Sequence, residues 1–158
     1  MKVRKLMFLL MTHTSVLIIG IALGIYLLPI ITAPLSPTEL EIKAISQDVL
    51  YKAKFTRKLE GSDLLHWGEG EISLGTQYIS MLGELAPGPE YKLYLSPKFV
   101  QTEIEFEQLK SQMILVGDIN TFNNFVVKVN PNVTLSQFTT VVVWCEAFGE
   151  FITAAKYR

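Results

Sequence analysis

The chain has 158 residues, of which 49% are apolar and 18% are charged, with a formal net charge of -1 and one cysteine. This length excludes a multidomain enzyme and fits one ordinary domain with an additional segment. A single cysteine excludes an intramolecular disulfide and a zinc site built mainly from cysteines.

The N-terminal segment is far more apolar than the remainder. Residues 6–38 contain no Asp, Glu, Lys or Arg, and residues 8–28 are long enough, as a helix, to cross the roughly 30 Å hydrocarbon core of a bilayer. Lys2, Arg4 and Lys5 precede this stretch, and such flanks stay in the cytoplasm. We therefore predict an uncleaved signal anchor in a single-pass membrane protein, with a cytoplasmic N-terminus and a C-terminal domain outside the cytoplasm, periplasmic or extracellular.

A cleavable signal peptide is the alternative, because a basic tip precedes both kinds of segment. The apolar stretch is longer than the hydrophobic region of most signal peptides, and Pro34 follows Ala33, which suits a signal peptidase poorly. His13, inside the stretch, is interpreted as a neutral residue near the cytoplasmic interface rather than as a functional group within the membrane.

A proline-rich segment joins the anchor to the domain. Residues 29–38 contain three prolines, which predicts the end of the helix and a short stiff spacer. The boundaries are therefore residues 1–38 for the anchor with its spacer and residues 39–158 for the exported domain. The domain holds all 15 acidic residues but only 11 of the 14 basic ones, without a basic cluster, which argues against a nucleic-acid partner.

The domain begins with a predicted short helix over residues 39–50. Short runs rich in Val, Ile, Phe, Tyr and Thr follow, separated by Gly, Pro, Asn and Ser, which indicates antiparallel strands. Residues 103–109 are interpreted as an exposed edge strand or a short helix. The predicted strands are residues 68–75, 78–85, 90–96, 113–119, 125–129, 139–145 and 151–157. We predict a mainly β fold, an antiparallel β-sandwich or barrel-like domain of about seven to nine strands preceded by one transmembrane helix.

Familiar catalytic motifs are missing from the sequence. It contains no Walker A motif, no His-Glu-x-x-His motif and no Gly-x-Ser-x-Gly motif. Gly68 and Gly70 resemble the start of a dinucleotide-binding fingerprint, but the third glycine and a βαβ unit are lacking. The sequence therefore favours a protein that is not an enzyme on its own, and it indicates no metal site and names no cofactor.

Cys145 ends a valine-rich run. Alternation along a strand places Cys145 on a face with aliphatic neighbours and puts Trp144 and Glu146 on the opposite face. One interpretation is a buried thiol that acts as a small hydrophobe, whose pKa Glu146 and Glu150 are expected to raise. A free thiol outside the cytoplasm is nevertheless unusual, which makes a redox-active cysteine the alternative.

His66 is the one histidine outside the apolar N-terminal stretch. Unless another chain contributes, a single histidine excludes a cupredoxin-type copper centre, which needs two, and bis-histidine haem ligation. Ligation by His66 together with Met81, Met113 or Cys145 stays open. A hydrolase dyad of His66 and Cys145 has no local motif to support it. We interpret His66 as a satisfied loop residue, with a role as neighbour or ligand of Cys145 as the alternative.

Residues across the whole domain follow the pattern of a known family. They are Phe55, His66, Gly70, Gly88, Pro89, Glu90, Tyr94, Leu95, Gly117, Asp118, Ile119, Trp144, Cys145, Phe148, Phe151 and Ala154. With this series, residues 53–157 resemble the DM-thirteen family, also called electron-transfer DM thirteen, here in a membrane-anchored form. Glu90 stands where Asp is more usual, and residues 121–125 lack the expected glycine and tyrosine.

The resemblance implies a β-sandwich-like domain outside the cytoplasm with a redox role through its cysteine. Within the family signature, the structural positions are Gly88, Pro89, Tyr94, Phe148, Phe151 and Ala154. The first hypothesis is a membrane-tethered redox or electron-transfer accessory domain centred on Cys145, with His66 and Trp144 as neighbours or ligands. Because a lone thiol cannot cycle within its own chain, this role requires a partner thiol, as from a redox protein partner, a sulfenate step or a bound cofactor. The alternative is a non-catalytic binding or scaffolding module of the cell envelope in which Cys145 is structural.

Overall fold

The computed structural model describes residues 2–158 and begins with a long helix. Helix α1 comprises Lys2–Thr32, none of its residues is buried, and it is long and apolar enough to cross a membrane. The sequence predicted that residues 29–38 end this helix. The helix does end within them, although it continues past Pro29. Pro29 removes one helical N–H without ending the helix, and the helix ends at Thr32, just before Ala33, whose helical conformation Pro34 disfavours.

Helix α2 (Glu39–Ile45) opens the domain with a capping box. The backbone N–H of Glu41 donates to Thr38 Oγ1, and the backbone N–H of Thr38 donates to the Glu41 carboxylate. The predicted helix over residues 39–50 is too long, because strand β1 (Val49–Phe55) begins inside it. Strand β1 was not predicted, although its residues alternate between inner and outer faces.

Within residues 2–158, eight strands form two four-stranded sheets. After β1, the strands are β2 (Gly68–Gly75), β3 (Tyr78–Leu85), β4 (Tyr91–Ser96), β5 (Ile114–Ile119), β6 (Phe125–Lys128), β7 (Thr140–Cys145) and β8 (Glu150–Lys156). The first sheet has the order β1-β2-β3-β6 and the second has the order β5-β4-β7-β8, with antiparallel pairing throughout. The predicted mainly β fold, an antiparallel sandwich preceded by one long apolar helix, is therefore confirmed.

The outer face of the second sheet is covered by helix α3 (Glu103–Leu109). Phe106 of this helix is fully buried and stacks on Trp144, with ring centroids 3.9 Å apart and planes inclined by 8°. Thr102 begins the helix by accepting a hydrogen bond from the backbone N–H of Glu105. Of the two interpretations of residues 103–109, the short helix is the one observed.

Strand β7 lies between two apolar layers, and all six of its residues are buried. Val141, Val143 and Cys145 belong to the main core between the two sheets, whereas Val142 and Trp144 belong to the layer beneath α3. The two faces follow the alternation predicted from the sequence. The thiol and the indole of neighbouring residues therefore occupy different environments.

Candidate functional site

Cys145 occupies the last position of β7, where the strand leaves the sandwich. It lies opposite Tyr91 of β4 and Glu150 of β8, and only 3% of its surface is exposed. The thiol donates a hydrogen bond to the backbone carbonyl oxygen of Pro89, with a sulfur–oxygen distance of 3.1 Å. The sulfur atom is thus held at one end of the core, beneath residues 86–90.

Burial raises the pKa of the Cys145 thiol above its ordinary value. Hydrogen bonds from the backbone N–H groups of Ala147 and Phe148 oppose this effect, while the charges of Glu150 and Glu90 add to it. The sequence analysis correctly predicted that the pKa of Cys145 is raised, but the main cause is burial. The second carboxylate that raises it, beside Glu150, is Glu90 and not the expected Glu146. At neutral pH the thiol is therefore protonated, which is consistent with its role as a donor to Pro89.

A mostly apolar cavity of about 160 Å³ adjoins the thiol. The domain lines it with residues of three loops and with the core, and α1 lines its remaining side. The lining includes Leu65, His66, Pro89, Tyr91, Cys145 and Phe148 from the domain and Ala22, Ile25 and Tyr26 from α1. The structure thus brings the cysteine and the histidine of the domain to the same cavity.

His66 is oriented by Asp63 three residues earlier. The Asp63 carboxylate accepts hydrogen bonds from the backbone N–H groups of Leu65 and His66, at 2.7 Å and 2.8 Å, in an Asx-type turn. The Nδ1 atom of His66 lies 3.1 Å from the other carboxylate oxygen of Asp63. The backbone N–H of Leu65 is the main cause that lowers the pKa of Asp63, so the carboxylate is ionised and favours a proton on Nδ1. In that tautomer Nε2 is the basic nitrogen.

The turn at Gly88 and Pro89 fits closely around Tyr91. The Tyr91 hydroxyl donates to the carbonyl oxygen of Ala86 at 2.8 Å, and a Cβ atom at position 88 would collide with the phenol ring. Glycine is therefore required by contact rather than by backbone conformation. The carbonyl oxygen of Pro89 accepts the hydrogen bond from the Cys145 thiol, so this turn positions that carbonyl group beside the sulfur atom.

Trp144 and Glu146 lie on the opposite face of the second sheet from the cavity. Glu146 accepts hydrogen bonds from the Tyr94 hydroxyl and, at 3.1 Å, from the ammonium group of Lys110. The Trp144 ring is buried against Phe106, and its indole N–H has no hydrogen-bond partner within residues 2–158. Trp144 and Tyr94 thus stabilise the layer beneath α3, and neither residue lines the cavity at Cys145.

The remaining signature residues divide between the cavity and the layer beneath α3. Phe148 lines the cavity and is 56% exposed, whereas Phe151 and Ala154 are buried in the layer with Trp144. The sequence analysis missed Asp63, although an aspartate three residues before a histidine in a polar turn is a recognisable signal. Among residues 2–158, no group of three or more His, Cys, Asp or Glu side chains is arranged to hold a metal ion.

Comparison with known proteins gives one match. The family model described as Electron transfer DM13 matches residues 58–157. The match covers more than half of the chain and includes His66, Cys145 and all the signature residues after Phe55, which confirms the resemblance found in the sequence. No curated protein and no solved structure matches the chain.

Proposed function

The chain belongs to the electron-transfer DM13 family, and on this premise we propose that it is a membrane-tethered accessory domain for electron transfer, with Cys145 as its redox group. The observation that carries the proposal is the shared cavity of Cys145 and His66. In this arrangement His66 accepts the thiol proton, and Asp63 holds the imidazole in the tautomer that leaves Nε2 basic. The protein acts with a redox partner rather than as an enzyme alone.

The proposed topology follows from the first helix. Residues 1–38 anchor the chain through α1, with Lys2, Arg4 and Lys5 in the cytoplasm, and residues 39–158 form the domain outside it. A domain on that side of the membrane is exposed to oxidants that the cytoplasm removes. The single cysteine is then a chemically distinctive group rather than one thiol among many.

The proposed reaction moves two electrons. His66 takes the proton of the Cys145 thiol, and the thiolate attacks hydrogen peroxide, which breaks the O–O bond and gives a sulfenic acid. The departing hydroxide takes the proton back from His66 and leaves as water. A thiol of the partner protein then displaces the hydroxyl group as water and forms a mixed disulfide. A second partner thiol releases Cys145 as a thiol, so the partner dithiol is oxidised and the peroxide is reduced.

The burial of Cys145 favours a second function. Cys145 is 3% exposed, donates to Pro89 and has a raised pKa, as expected for a cysteine that only packs the core. In that case the domain is a binding or scaffolding module of the cell envelope. The two functions make opposite predictions for the reactivity of Cys145 in the folded protein.

The deciding experiment uses the full chain in detergent, where Cys145 is the only thiol. The folded protein is treated with peroxide and a neutral sulfenic-acid trap, and modification is followed by intact mass. The redox function predicts modification before unfolding, at a rate that His66→Gln lowers several-fold. The matched control is His13→Gln in α1, which leaves the rate unchanged. Modification that requires unfolding, with equal rates in both variants, would establish the scaffolding function instead.

A further inference from the structure

Helix α1 is longer than a membrane span requires. Its 31 residues correspond to about 46 Å, whereas a hydrocarbon core of about 30 Å needs about 20 residues. Counted from Leu6, the first uncharged position after the basic tip, the roughly 20 residues that this core needs end near residue 25, inside the apolar stretch of residues 8–28. Tyr26 then stands where aromatic side chains mark the boundary between lipid and water. The last turns of the helix extend beyond the hydrocarbon.

The domain meets α1 at this boundary. The same cavity that contains Cys145 is lined by Ala22, Ile25 and Tyr26 of the helix, and by Leu65 and Phe148 of the domain. The domain is also attached close to the helix end, because the Asn124 side chain donates to the carbonyl oxygen of Pro37 at 3.0 Å. The loops that surround the cavity therefore lie at the outer end of the span, at the boundary between the acyl chains and the headgroups.

These loops carry large apolar side chains that the protein does not cover. Leu64 is 94% exposed and Leu65 is 59% exposed, in addition to Phe148. The three loops, residues 62–66, 86–90 and 147–149, contain no lysine or arginine, and their acidic residues are Asp63 and Glu90. The side chains of Leu64, Leu65 and Phe148 fit the acyl-chain boundary of a bilayer, while the exposed carboxylates of Asp63 and Glu90 stay in water and give no attraction to anionic lipid.

We propose that this cavity edge, residues 62–66, 86–90 and 147–149, lies on the outer leaflet with Leu64, Leu65 and Phe148 inserted between headgroups. The Cys145 cavity then opens toward the membrane interface, and small uncharged molecules that partition into lipid reach it in preference to ions. The inference rests on the proposed membrane anchorage through α1. It does not depend on Cys145 being redox active.

Spin labels test the depth of the cavity edge. The full chain carrying Cys145→Ala receives one new cysteine, Leu64→Cys or Phe148→Cys, and is labelled and placed in phosphatidylcholine vesicles. The control is Ile104→Cys on α3, an apolar residue that is 71% exposed and outside the cavity edge. We expect the ratio of oxygen to nickel-chelate collision rates to be several-fold higher at positions 64 and 148 than at position 104.

Three results would overturn the proposal. If the collision-rate ratios are equal and water-like at positions 64, 104 and 148, while the protein resists extraction from the vesicles at alkaline pH, the contact of the cavity edge with the membrane is contradicted. The anchorage through α1 is not. Release by alkaline extraction would contradict the anchorage as well. Exclusion of both reagents from positions 64 and 148 would indicate contact with a second copy.

Discussion

The contact between Gly88 and Tyr91 gives a quantitative prediction. In Gly88→Ala, the new Cβ atom would lie 2.8 Å and 2.9 Å from two carbon atoms of the Tyr91 ring and closer still to its hydroxyl oxygen. Tyr91 is buried and hydrogen-bonded to Ala86, so the ring cannot move without losing that bond. Overpacking costs about 1–3 kcal/mol and the lost hydrogen bond about 1 kcal/mol, which predicts destabilisation by about 2–4 kcal/mol.

Urea unfolding of the full chain in detergent, followed by tryptophan fluorescence, measures this loss. The matched control is Gly24→Ala in α1, where no atom lies within 4 Å of the new Cβ and little change is expected. Adding Tyr91→Phe to Gly88→Ala removes the hydroxyl that collides and should restore part of the stability. A loss below about 0.5 kcal/mol for Gly88→Ala, the usual range for surface substitutions, would refute the steric explanation.

Three further predictions concern the turn, the layer beneath α3 and the response to pH. Glu90 has φ of 55°, in the left-handed region that asparagine tolerates better than glutamate, so Glu90→Asn should stabilise the fold by about 1 kcal/mol and raise the urea midpoint. A lower midpoint would contradict this interpretation. Phe106→Ala should cost about 3–5 kcal/mol in the same assay, and a cost near 1 kcal/mol would show that the stack contributes little. Burial opposes ionisation of Glu146, yet its tyrosine and lysine partners hold its pKa below the usual range. The stabilisation of the fold by ionised Glu146 should therefore be present at pH values above the ordinary glutamate pKa and be lost on acidification. Glu146→Gln should flatten this part of the profile of unfolding free energy against pH.

Much of the fold could be predicted because the strands have local signals. Residues 68–75 and 78–85 are bounded by glycine or polar turns and are observed at those limits. Strand β1 was missed because only a 3₁₀ turn, Ser46–Asp48, separates it from a capped helix, so the predicted helix was extended into it. Only pairing with β2, a contact distant in sequence, fixes residues 49–55 as a strand.

The site was predictable in part for the same reason. Alternation along β7 correctly separates Cys145 from Trp144, since the two faces of a strand are a local property. The meeting of Cys145 with His66 depends on loops from different parts of the chain that converge at one end of the sandwich. No spacing in the sequence encodes that convergence, nor the contact with α1.

The two proposals constrain how each can be tested. If the cavity edge lies on the membrane, a charged alkylating reagent fails to reach Cys145 whether or not the thiol is reactive. A negative result with such a reagent in vesicles therefore does not count against the redox function. A neutral reagent in detergent measures reactivity, and comparison of neutral with charged reagents in vesicles measures access. The redox proposal predicts that His66→Gln lowers the reactivity of Cys145 in detergent. The membrane proposal predicts that a neutral reagent reaches Cys145 in vesicles better than a charged one does. Both results together require both proposals, because neither proposal predicts the two.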